Sequence, residues 1–188
     1  LTYNFSDHAF IRYQGDISRS TPALSDLNNV EQLIDSLQIR RGNPTLKMST
    51  VYNNTLNFDY RKGLFSGSLY LLYQYQRKPN MEETIRENDL FIRTIANQRS
   101  WQKLNPEIEV KVGPFKDILS LSVTTGINYF DSRGHNYHHT YTNWYYRASI
   151  MASYKNWSSF FEIQNHRNDF YGETLRYGEN YHILGINY

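Results

Sequence analysis

Three histidines stand close together in the second half of the chain. His135, His138 and His139 follow Asp131, and imidazoles at that spacing could hold a transition metal. The same residues also suit an exposed polar loop, and no metal or other cofactor is expected. Glu107 and Glu109 share one side of an extended segment with Lys111, so a carboxylate pair for acid–base work can be imagined. A water-facing polar stripe accounts for them better. No Ser/His/Asp spacing, phosphate-cradling glycine loop or nucleophile elbow occurs. The absence of Cys excludes disulfides, thiolate metal sites and cysteine nucleophiles. Net charge is +2 with no basic run, so nucleic acid is not an expected partner. The residues predict no enzyme.

The segments around these candidates are more informative. Leu119, Leu121, Val123, Thr125, Ile127 and Tyr129 alternate with Ser120, Ser122, Thr124, Gly126, Asn128 and Phe130. Successive side chains of a strand point to opposite faces, so this is a strand with one apolar and one mostly polar face. A run of about a dozen residues is roughly twice the usual strand length. Comparable runs are predicted near 8–20, 47–61, 64–78, 89–113 (interrupted near Pro106), 143–154, 157–169 and 181–188. Leu27, Val30, Leu33, Ile34 and Leu37 follow helical spacing, which predicts a short amphipathic helix over about 26–37 with Ser25 or Asp26 as its cap. Residues 79–88 read as a polar loop, and Gly113-Pro114 as a turn.

Connections near 6, 62, 114 and 156 are short, while those at 20–46, 79–88, 133–139 and 171–179 are longer. This sorting by parity is what a barrel with periplasmic turns and extracellular loops requires. Aromatics make up 16% of the chain, with 17 Tyr, 10 Phe and 3 Trp, as two interfacial girdles would demand. The predicted fold is therefore all-β. It is an antiparallel up-and-down transmembrane barrel wall of about eight long strands, with a short helix in one extracellular loop. On that fold Asn57, Asp59, Gln74, Gln76, Arg147, Gln164 and His166 would line an aqueous lumen. Trp101, Tyr137, His138 and Tyr171 would lie at the extracellular end, within reach of substrate. The competing readings are a tyrosine-rich soluble β-sheet module that stacks on carbohydrate, and a small complete barrel with a structural or adhesion role.

The stretch Asp35-Ser36-Leu37-Gln38-Ile39-Arg40-Arg41-Gly42-Asn43-Pro44-Thr45-Leu46-Lys47 resembles the "GNP-x-L-K" segment that opens a strand in TonB-dependent outer-membrane receptors, above all those of Bacteroidetes-type bacteria. Gly42, Asn43, Pro44, Leu46 and Lys47 carry the resemblance. The approach through Arg19-Ser20-Thr21-Pro22 and Leu24-Ser25-Asp26-Leu27, the Gly113-Pro114-Phe115 turn and the closing Glu179–Tyr188 are similar too. The Thr45-Leu46-Lys47-Met48 ending departs from relatives that carry Pro-Glu after the Lys. On its own the motif suits a loop terminator with no ligand role. The resemblance implies the bacterial outer membrane and nutrient uptake. It also implies contact with outer-membrane lipid, with the remainder of the barrel and a plug, and, through that plug, with the TonB complex. Such receptors have about 22 strands. With neither plug nor signal segment visible, residues 1–188 are expected to be part of a larger barrel.

Overall fold

The computed structural model describes residues 1–188. In chain order the elements are β1 (Thr2–Ser6), β2 (Ala9–Ser20), α1 (Leu24–Leu27), β3 (Gln32–Asp35), β4 (Gln38–Arg40), β5 (Ser49–Lys62), β6 (Phe65–Arg77), β7 (Asn80–Glu87) and β8 (Leu90–Asn97). They continue as β9 (Ser100–Phe115), β10 (Leu119–Arg133), β11 (His138–Tyr154), β12 (Trp157–Gln164), β13 (Asp169–Tyr171), β14 (Thr174–Arg176) and β15 (Tyr181–Asn187).

Nine of these form one antiparallel sheet in the order β1-β2-β5-β6-β9-β10-β11-β12-β15. Each strand pairs with the next member of the wall along the chain, and β1 and β15 are the two edges. Residues 7–8, 63–64, 116–118 and 155–156 turn the chain at one end. At the other end the connections are 21–48, 78–99, 134–137 and 165–180, and three of them carry structure of their own. No helix is long and apolar enough to cross a membrane; the crossings are made by strands.

The register sorts the side chains. One row runs Ile11, Phe58, Leu69, Ile108, Thr125, Tyr146 across β2, β5, β6, β9, β10 and β11. It lies on the convex face, where Ile108 keeps 49% and Val123 51% of its surface exposed. Large apolar side chains left bare on a soluble surface would be costly, whereas lipid removes that cost. A soluble two-layer sheet would bury this stripe, and here nothing of the protein covers it.

Four local expectations fail for physical reasons. The helix over 26–37 shrinks to Leu24–Leu27, and residues 32–40 form the β3–β4 hairpin. Asp35 Oδ1 accepts the Leu37 amide at 2.8 Å and turns the chain, and β4 pairs in parallel with β8 from Gln38↔Phe91 to Arg40↔Arg93. The helical spacing of the leucines is overridden by backbone partners distant in sequence. Residues 79–88 are not loop but strand β7, paired with β8 from Asn80↔Asn97 to Glu87↔Leu90. This hairpin belongs to the separate four-stranded sheet β3-β4-β8-β7 and meets the wall through Met81, so its strands lack the regular apolar alternation of a wall strand. The predicted 89–113 strand is two, β8 and β9, and Pro106 does not break β9, whose register with β6 passes through Leu71↔Pro106 unshifted. Gly113-Pro114 is not the turn. Those two residues bulge opposite Ser120, and the chain reverses at Lys116–Ile118, where Lys116 and Asp117 adopt positive φ.

Candidate functional site

Toward the short-turn end and through its middle the concave face is mostly polar. One row reads Asn4, Phe10, Asp59, Ser68, Glu109, Thr124, Arg147, Gln164, Tyr181, a residue from each of the nine strands. Asp59, Arg61, Ser68, Glu109 and Lys111 line an open groove of about 820 Å³ toward the short-turn end. Acids and bases alternate along it, so the surface is hydrophilic without strong net charge. Asn57, Asp59, Gln74, Gln76, Arg147 and Gln164 all stand on this face. His166 lies beyond the end of β12, where its backbone amide donates to Asn180 Oδ1 at 2.5 Å.

Toward the long-loop end the concave face changes character. Trp101 from β9, Phe130 from β10, Met81 from β7 and Phe170 from β13 form a buried cluster, with Tyr137, Tyr141, Tyr171 and Leu175 packed around it. Trp101 Nε1 donates to the Phe170 carbonyl at 2.9 Å, and its ring lies 5.4 Å from that of Tyr171. The Tyr171 hydroxyl donates to Gln76 Oε1 at 3.2 Å, and Gln76 Nε2 in turn to Ser49 Oγ at 2.8 Å. Burial pushes the Tyr171 phenol up to about 12, against the smaller opposing effect of Gln76. Burial and then the nearby Glu173 carboxylate push Tyr137 up to about 12 as well. These rings anchor the β13–β14 and β7–β8 hairpins on the wall as a cap. Trp101, Tyr137 and Tyr171, expected to reach for substrate, are here packed into that anchor.

Below the cap the 165–180 segment is bound by a polar layer. Tyr145 Oη donates to Glu107 Oε2 at 2.6 Å and accepts from Asn105 Nδ2 at 2.8 Å. Arg167 lies over the Tyr145 ring at 4.3 Å, donates to Asn105 Oδ1 at 3.2 Å, and stands 3.7 Å from Glu107. A Cβ at Gly126 would sit 2.5 Å from Tyr145 Oη, so only glycine lets that phenol lie across β10. Asn168 continues the layer: its amide donates to Asn143 Oδ1 at 3.0 Å and its Nδ2 to the Tyr141 hydroxyl at 2.6 Å.

The structure does not bring the three histidines together. His135 Nδ1 contacts Gln98 Oε1 at 3.0 Å, His138 Nε2 meets Asp131 Oδ1 at 3.3 Å, and His139 Nε2 lies 3.6 Å from Glu173. Nor do Glu107 and Glu109 act as a pair: Glu107 belongs to the Tyr145–Arg167 layer, and Glu109 lies 3.1 Å from Lys111.

The Gly42-Asn43-Pro44 motif is a joint. The Gly42 amide donates to the Asn28 carbonyl at 3.1 Å, and a Cβ there would strike that oxygen and approach the Asp26 oxygen at 2.7 Å. Close backbone approach, and not a left-handed φ, is what requires the glycine. Asn43 Nδ2 donates to the Ile95 carbonyl at 3.1 Å, while its Oδ1 accepts the Thr45 amide at 3.0 Å. Leu46 is buried, and Asn97 brackets Lys47 by accepting its amide at 2.8 Å and donating to its carbonyl at 2.9 Å. The motif thus docks the 21–48 connection onto β8.

Phe130, Asn105 and Asn168 were missed as site residues. Phe130 was visible as the one aromatic in a Ser/Thr/Gly/Asn stripe. Asn168 and Asn105 carried no comparable signal, because their roles depend on contacts across the lumen.

An open, curved antiparallel wall with a lipid-facing convex side defines an outer-membrane barrel. The chain belongs to the outer membrane protein beta-barrel family, whose model matches residues 1–174. No curated protein matches its sequence. Among solved structures, the copper transporter OprC has the same fold over 98% of this chain and 30% of its own, at 5% identity and a TM-score of 0.70. The siderophore receptor PirA from Pseudomonas aeruginosa aligns over 87% of this chain and 37% of its own, at 13% identity and a TM-score of 0.57. Identities this low establish shared fold alone. The chain spans about a third of the length of each, 30% and 37%. It is a wall segment of the bacterial outer membrane.

Proposed function

We propose that residues 1–188 form part of the barrel of a TonB-dependent-type receptor that imports a nutrient across the outer membrane. The observation that carries this reading is the concave face. It is hydrophilic on every strand, and the 165–180 segment folds inward to cap it at the long-loop end. A polar wall with an anchored lid suits a guarded aqueous passage, and a purely structural barrel has no need of one. The resemblance of the Gly42–Lys47 stretch, together with the folds of a copper transporter and a siderophore receptor, supports the same class. In this reading the chain works with the remainder of the barrel, with a plug and, through the plug, with the TonB complex. Asn57, Asp59, Gln74, Gln76, Arg147 and Gln164 supply generic wetting of the passage. No catalytic step is assigned.

The test is growth on limiting nutrient by cells carrying the full-length protein, with and without an active TonB system. Import by this class requires both the protein and TonB. Uptake that persists without TonB contradicts it.

A further inference from the structure

The 165–180 segment crosses β9 with its charges matched to those of the wall. Arg167 stands 3.7 Å from Glu107, and Asp169 lies 3.7 Å from Lys103. Residue numbers rise along the segment as they fall along β9, so the two run in opposite senses. Glu107 and Lys103 are four positions apart, roughly 13 Å on an extended strand, and Arg167 and Asp169 are two apart, at most about 7 Å. The long arginine and lysine arms close the difference. Between the two wall charges, Asn105 Oδ1 accepts from Arg167 at 3.2 Å. The guanidinium also lies 4.3 Å from the centre of the Tyr145 ring, a placement that favours a planar cation over a compact one.

The wall side of this contact is preformed. Tyr145 Oη donates to Glu107 Oε2 and accepts from Asn105 Nδ2, so the three hold one another without help from the segment. Beside them the register sets Asn128 between Asn105 and Asn143. Asn128 is fully buried, and neither its Nδ2 nor its Oδ1 meets a hydrogen-bond partner. A buried amide unmet at both ends costs stability, and it suits a face whose proper occupant brings a donor and an acceptor. A peptide bond carries both. The segment is the looser side. β13 and β14 pair only with each other, so side chains and not a strand ladder hold them to the wall, and the Arg167 and Asp169 side chains stay 45% and 53% exposed. We infer that Glu107, Tyr145, Asn105, Asn128 and Lys103 form a recognition site for a short peptide bearing a guanidinium and, two residues toward its C-terminus, a carboxylate. Arg167 and Asp169 occupy that site as a built-in placeholder, which such a peptide displaces. The inference rests on the import reading above and names the chemistry of its nutrient.

The experiment uses the full-length protein in detergent, titrated with the blocked peptide acetyl-Arg-Asn-Asp-Phe-amide and with the same peptide carrying Gln for its Arg. The double variant Arg167→Gln, Asp169→Asn withdraws the placeholder charges and should bind the arginine peptide about tenfold more tightly than the parent. Adding Glu107→Gln to that double should lose at least the same tenfold, and the glutamine peptide should bind at least tenfold more weakly to every form that keeps Glu107. Asp117→Asn, in the turn at the opposite end, should change nothing. Folding of each variant is checked by its heat-dependent gel mobility. Equal binding of the two peptides, no gain in the folded double variant, or an affinity unmoved by Glu107→Gln overturns the inference. Such a result alongside TonB-dependent growth strikes the peptide site and leaves the import reading standing. Peptide binding as expected alongside TonB-independent growth strikes the import reading and supports the site.

Discussion

Asn105 Nδ2 donates to the carbonyl of Ile127 at 3.0 Å, across from Pro106, where the β9 backbone has no N–H to give. The pairs Gly126↔Glu107 and Tyr129↔Leu104 set Pro106 opposite Ile127. The side chain next to the proline thus supplies the missing donor, which is how a proline sits in the interior of a lipid-facing wall where unpaired carbonyls are expensive.

Replacing Asn105 by Ala should therefore destabilise the wall by about 1–3 kcal/mol, since it orphans Ile127 and strips two further partners, Tyr145 and Arg167. In a Pro106→Ala background the backbone amide is restored, so the same substitution should cost less. Urea unfolding of the four proteins of this double-mutant cycle, in micelles, measures the difference.

A charge on the lipid face should be far worse than one beside it. Leu69→Arg places a guanidinium on the apolar row with Phe58 and Ile108. The expected penalty is about 2–4 kcal/mol near the bilayer midplane. Ser68→Arg, one residue away, lands between Asp59 and Glu109 on the wet face and should be close to neutral. Folding free energies in lipid vesicles compare the two.

Gly42→Ala should release the 21–48 connection without unfolding the wall. The new methyl meets the backbone oxygens of Asn28 and Asp26, neither of which can swing aside as a side chain would. Limited proteolysis of intact cells should cut this connection in the variant and spare it in the parent, with heat-dependent gel mobility unchanged.

The cap should loosen in alkali. Tyr137 and Tyr171 are held up to about 12 by burial, while an unfolded tyrosine ionises near pH 10. Between those values the unfolded cap has lost protons that the folded cap keeps, so unfolding releases protons and stability falls as pH rises. Their contribution is complete below pH about 10 and gone by about 12. Protease sensitivity of residues 165–180 followed against pH should rise through that window. The double variant Tyr137→Phe, Tyr171→Phe should flatten the dependence.

How much of this was legible depends on where each residue's partners lie. Leu119 to Tyr129 announced both faces of β10, because a wall strand meets lipid on one side and water on the other and its side chains must alternate. The parity of the turns followed for the same reason. β7 was hidden, since Glu82, Glu83, Arg86 and Glu87 interrupt any apolar period in a strand that pairs with β8 outside the wall sheet. β3 and β4 were hidden differently: Leu33, Ile34 and Leu37 fit a helix until β8 takes β4 as a parallel partner and β4 in turn pairs with β3. Within the site, Asp59 and Arg147 could be assigned a face by counting residues. The anchoring roles of Trp101 and Tyr171 could not, because they arise from a segment nearly seventy positions away in the chain meeting β9 in space (Trp101 to Phe170, |i−j| = 69).

The central claim is that lipid touches the Leu69, Ile108, Val123 face while water touches Ser68, Glu109 and Ser122. Nitroxide labels placed singly at positions 66 to 72 and 119 to 125 of the full-length protein in bilayers test it most directly, by relaxation with oxygen against a water-soluble nickel complex. The account predicts a strict two-residue alternation, oxygen-accessible at 67, 69, 71, 121 and 123 and nickel-accessible at 66, 68 and 122. Uniform nickel access along both strands, or protection from both reagents at the apolar positions, would contradict it.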